Sequence, residues 1–130
     1  MSFEPILTAS PIIQIHLAAA LVSAAVGVSQ FALPKGGMRH RIIGWIGVVA
    51  LTVVAASSFW ITGLMGEHWS PIHILSILTL ASLVLAIIAI RAGNVRAHRS
   101  AMIGVFIGLT LAGLFTLAPG RVLNAALFGP

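Results

Sequence analysis

Polar residues are gathered into short islands along this chain, and four long apolar stretches lie between them, at 11–33, 42–66, 71–90 and 100–119. None of the four contains an acid, a lysine or an arginine. A helix rises about 1.5 Å per residue, so roughly 20 residues cross the ~30 Å hydrocarbon core of a bilayer. Backbone groups in lipid must find their partners within the segment, which makes these stretches helices. Spans of a transmembrane barrel are shorter and alternate in polarity, and these do neither. The expected fold is all-α: a four-helix antiparallel transmembrane bundle in one domain, residues 1–130, with a short interfacial tail at 120–130. In that tail Arg121 sits at the headgroups, and Leu123, Leu127 and Phe128 face lipid.

Turn chemistry punctuates the islands. Ser10-Pro11 and Ser70-Pro71 each place a capping residue before a first-turn proline. Pro34 with Gly36-Gly37, then Gly93-Asn94, then Pro119-Gly120, end the first, third and fourth helices. Trp69 falls where an aromatic belt residue belongs. Loops this short make successive helices antiparallel neighbours, so the first lies diagonally opposite the third and the second opposite the fourth.

Hydrophobic residues make up 59% of the chain and charged residues 7%, against about a quarter in soluble domains. Its charge is +5, from 7 basic and 2 acidic residues. Lys35, Arg39 and Arg41 stand in the first loop, Arg91, Arg96 and Arg99 in the third, and Arg121 alone beyond the fourth stretch. The positive-inside rule then sets the first and third loops in the cytoplasm, with both termini and the Glu67 loop outside. Nucleic acid is not an expected partner, because this charge is accounted for by topology and anionic headgroups. The first stretch is not expected to be a cleaved signal peptide, since residues 1–10 hold Glu4 and no basic residue. Cysteine is absent, which excludes disulfides, thiolate metal sites and thiol nucleophiles.

A repeat runs through the chain. Ser10-Pro11-Ile12 precedes His16 and Ser70-Pro71-Ile72 precedes His73, which stands 57 residues after His16. His40-Arg41 and His98-Arg99 form the second pair, 58 residues apart, each followed by glycines at helical spacing. Such a repeat predicts a pseudo-twofold axis along the membrane normal, with His16 and His73 paired near one face and His40 and His98 near the other. Gly44 and Gly47 follow His40 on one helix stripe, and Ala20, Ser23 and Gly27 follow His16. The stripes below His73 and His98 are apolar but not small, so one helix of each diagonal pair gives a flat cofactor room while both give it ligands. The arrangement resembles transmembrane di-haem b-type cytochromes, in which two histidines hold each iron.

On that reading His16 and His73 ligate one haem b, His40 and His98 a second, and Arg41 and Arg99, with Arg39 and Arg96, pair with propionates. Gln14, Ser57, Ser58 and Thr62 serve as interhelical hydrogen-bond glue. A zinc or di-metal site is poorly supplied, with two acids and no thiol. No hydrolytic or transferase motif is present.

His-Arg-x-x-Gly-Trp at 40–45, Ser-Pro-Ile-His-x-Leu-Ser at 70–76, His98-Arg99, and Ala-Gly-Leu-Phe-Thr-Leu-x-Pro-Gly-Arg at 112–121 carry a further resemblance. Over about residues 38–122 the chain resembles a family of small bacterial membrane proteins known only as a domain of unknown function. That resemblance implies a multi-pass protein of the bacterial inner membrane and no activity. The expected function is a small b-type cytochrome passing electrons across the bilayer, or to a partner or quinone. The alternative is a cofactor-free accessory or assembly subunit of a larger respiratory or photosynthetic membrane complex, or a homodimer.

Overall fold

The computed structural model describes residues 1–61 and 71–129. Six helices follow in order: α1 (Glu4–Leu7), α2 (Pro11–Ala32), α3 (Met38–Ser58), α4 (Pro71–Arg91), α5 (Val95–Phe115) and α6 (Val122–Phe128). The described residues contain no strand, and α2 to α5 are each long and apolar enough to cross a membrane. The all-α four-helix bundle expected from the polarity pattern is therefore the fold.

Helix α2 packs along α3 and α4 along α5; the two hairpins meet chiefly through α3 and α4 and more lightly through α2 and α5. The diagonal relation of α2 to α4 and of α3 to α5 follows from this ring. Gly36 at φ +88° and Gly93 at φ +79° make the tight turns inside the two hairpins, in a left-handed conformation that a Cβ disfavours. Asn94 caps α5 by accepting from the Ala97 N–H at 3.0 Å. Ser10 stands extended at the N-cap of α2 ahead of Pro11, but its hydroxyl makes no capping bond.

Helix ends differ from the edges of the apolar stretches. α3 begins at Met38 rather than 42, and α5 at Val95 rather than 100. Lipid contact stops at the arginines, whereas backbone hydrogen bonding continues through them. α3 also ends sooner, at Ser58 instead of 66, with Phe59 as its C-cap. Its last hydroxyls turn back onto their own helix, Ser57 to the Val54 carbonyl at 3.1 Å and Ser58 to that of Ala55 at 2.6 Å. α5 closes at Phe115 instead of 119, with the Thr116 hydroxyl on the Gly113 carbonyl. Thr62, Glu67, His68, Trp69 and Ser70 lie outside the described residues.

Residue size is distributed inside out. The interior is built on Ala50, Ala55, Ala86, Leu51, Leu83 and Val105, while Val28, Val49, Leu85 and Leu111 are exposed. Lipid solvates bulky side chains as well as a protein interior does, so close helix contact falls to small residues.

The chain ends meet at one face, here called the terminal face. Short α1 and α6 pack together, with the Ser2 N–H on the Ala126 carbonyl at 2.8 Å. Gln14 donates to the carbonyls of Ile6 and Leu7 at the end of α1. The expected interfacial tail is α6, with Leu127 and Phe128 exposed and Leu123 half-buried. Lys35 and the arginines at 39, 41, 91, 96 and 99 gather at the opposite, basic face.

Candidate functional site

His16 lies in the second turn of α2, half-buried beneath the terminal face. Its Nδ1 is 2.8 Å from Ser57 Oγ on α3. With the Ser57 hydroxyl donating to the Val54 carbonyl, a proton on His16 Nδ1 completes the bond, and that is the tautomer we assign to the ring. His73, in the first turn of α4, is 3% exposed and stacks on Phe59 with ring centroids 5.8 Å apart. Its Nε2–H donates to the Ser58 carbonyl at 3.1 Å. Ser58 Oγ in turn meets Ser76 Oγ of α4 at 2.6 Å.

Both histidines thus end on consecutive serines at the end of α3. His16 reaches Ser57 within its own hairpin, whereas His73 reaches Ser58 of the other hairpin. Repeat-related histidines do not have repeat-related partners. Ser57 and Ser58 are the interhelical glue expected of them, and Gln14 instead ties α2 to α1. Ser76 had no assigned role, although its position three residues after His73, on the same helix face, was a usable signal.

Arg121 reaches over this region. Its guanidinium lies 5.7 Å above the Phe115 ring and within electrostatic range of His16. Partial burial lowers its pKa from the ordinary arginine range.

At the basic face His40 and His98 come within electrostatic range of each other, and Lys35 joins them. The His98 Nδ1–H donates to the Ala86 carbonyl at 2.9 Å, which leaves Nε2 as a bare acceptor in the neutral ring. His40 Nδ1 is enclosed with no hydrogen-bond partner among the described residues, and the His40 carbonyl accepts from Gln30 Nε2 at 2.9 Å. Arg39, Arg41, Arg96 and Arg99 are all exposed.

The small residues beside the histidines are closed over. A Cβ on Gly47 would meet Val26 Cγ1 at 2.6 Å, one on Gly44 Gln30 Nε2 at 3.2 Å, and one on Gly108 Leu75 Cδ1 at 3.2 Å. At Gly27 the space is taken by the Phe106 ring, which also meets Phe31 edge to face at 5.0 Å. The stripes that suggested cofactor clearance therefore serve close packing of neighbouring helices. All four helices line a small, partly open cavity of about 50 Å³ beside His16, Ser58, Ser76 and Thr79. An open groove of about 470 Å³ runs on the other side of the His16–Ser57 bond, between α2 and α3, bordered by Ile15, Ser57 and Trp60. Among the described residues no three metal-ligating side chains gather.

A family model described as predicted membrane protein (DUF2306) matches residues 13–127. The chain belongs to the DUF2306 family. The match takes in all but the first two residues of α2, the whole of α3, α4 and α5, and most of α6, and so is wider than residues 38–122. No curated protein and no solved structure matches the chain. For a DUF2306 protein the description establishes the membrane and leaves the chemistry to the side chains just described.

Proposed function

We propose that this DUF2306 protein is a cofactor-free accessory or assembly subunit of a larger membrane complex. The observation that carries this reading is the closure of the glycine gaps by Val26, Gln30, Leu75 and Phe106. Haem does not fit the terminal-face pair as packed. A cavity of about 50 Å³ is far below the roughly 300–1,000 Å³ of ligand pockets. The nitrogen with which His73 would ligate iron donates instead to Ser58. With the glycine gaps filled, the bundle's largest resource is its outer surface of bulky apolar side chains.

The experiment is photo-crosslinking in the native membrane from one exposed position per span: Val28, Val49, Leu85 and Leu111. A subunit gives adducts of defined mass from one or two of the four positions. A chain surrounded by lipid gives none from any, and that result overturns the proposal.

A second reading keeps a single haem at the basic face. It is favoured by His98, whose Nδ1–H is anchored on a carbonyl as metal-ligating histidines are, with His40 close by. Exposed Arg41 and Arg99 would pair with propionates, and bound haem would supply one-electron chemistry.

A further inference from the structure

The small cavity between the four helices has an unusual wall. Ser58, Ser76 and Thr79 line its edge, and the single proton of each hydroxyl is already committed to a neighbouring carbonyl or hydroxyl. Ser58 donates to the Ala55 carbonyl at 2.6 Å, which leaves Ser76 to donate to Ser58 Oγ at 2.6 Å with the Ile72 carbonyl 3.0 Å away, and Thr79 donates to Leu75 at 2.9 Å. Hydroxyls bound in this way keep only lone pairs for the cavity. In the assigned tautomer His16 adds another acceptor, Nε2, since its Nδ1 proton is committed to Ser57. The rest of the wall is apolar, including Val54 and Val105.

A guest must therefore donate hydrogen bonds, be very small and carry no negative charge. An apolar guest would leave the acceptors unsatisfied in a low-dielectric interior, which is costly. A metal cation would find no carboxylate or thiolate among the described residues of this wall. Water meets every requirement: it brings two donors, and about 10–15 Å³ of such space accommodates one molecule. The observed volume of about 50 Å³ is ample for a small cluster.

We propose that this cavity is a water-binding site, in which a buried cluster links His16 Nε2 of α2 to the Ser58–Ser76 hydroxyl pair of α3 and α4. Water then joins three of the four spans at one level, where direct side-chain bonds join them only in pairs. The cluster also fixes the ring of His16, held by Ser57 on one nitrogen and by water on the other.

The test is magnetisation transfer from water to methyl groups in the full chain, reconstituted in lipid nanodiscs, followed by xenon pressure on the same sample. Water contact at the Val54 and Val105 methyls, none at buried Leu83 away from the cavity, and no xenon-induced shift are expected. Ser58→Ala with Ser76→Ala removes two acceptors, so water contact falls and a xenon shift appears at Val105. Xenon entry into the native cavity, or no water contact at Val54 and Val105, overturns the proposal. The native-protein measurement decides the matter even where the double variant fails to fold.

Discussion

Ser57 and Ser58 determine what the two histidines at the terminal face do. Each engages one imidazole, through a hydroxyl for His16 and a carbonyl for His73. Hydrogen bonds between membrane helices are worth about 0.6 kcal/mol on average and up to ~1.7. A double-mutant cycle of His16→Ala and Ser57→Ala in micelles should return a coupling in that range, read from unfolding midpoints; zero coupling would remove the bond from the account. The glycines make a sharper contrast. Gly47→Ala drives a methyl against Val26 and should destabilise by about 1–3 kcal/mol. Gly104→Ala meets nothing within 4 Å and should leave the midpoint unchanged or slightly raised. Were the Gly47 stripe a cofactor slot, the two substitutions would not separate in the cofactor-free protein.

For the helices, the apolar stretches located all four spans because lipid imposes length and polarity directly. Their ends were less legible. Polarity marks where hydrocarbon stops, whereas helix ends depend on local bonds such as Asn94 to Ala97 or Ser58 to Ala55. Asn94→Ala should therefore cost about 1 kcal/mol. Faster amide exchange at Ala97 and His98 is the corresponding local readout, with α4 unaffected. Histidine spacing foretold two levels but not the partners. A helix stripe shows which residues share a face and leaves its rotation undetermined, so the Phe106 ring filling the space at Gly27 could not be read from spacing. Ser57 and Ser58 were legible as glue because polar side chains in a span seek polar partners.

Across the whole molecule, charge separates two ends. Six of the 7 basic residues lie on the face away from the termini. The positive-inside rule predicts that this face lies in the cytoplasm. The native chain has no cysteine, so single replacements report orientation without background. Lys35→Cys should resist a membrane-impermeant maleimide added to intact cells, and Phe128→Cys should react. The reverse pattern would invert the topology.

The central claim is that packing has closed the glycine gaps beside the histidines and leaves no room for a haem between His16 and His73. A reduced-minus-oxidised absorption spectrum tests it most directly, on detergent-purified protein expressed with ample haem supply and then offered haemin. The packed bundle predicts no sharp α or Soret bands. Bands lost stepwise in His16→Ala and His40→Ala would contradict it and restore the two-haem cytochrome.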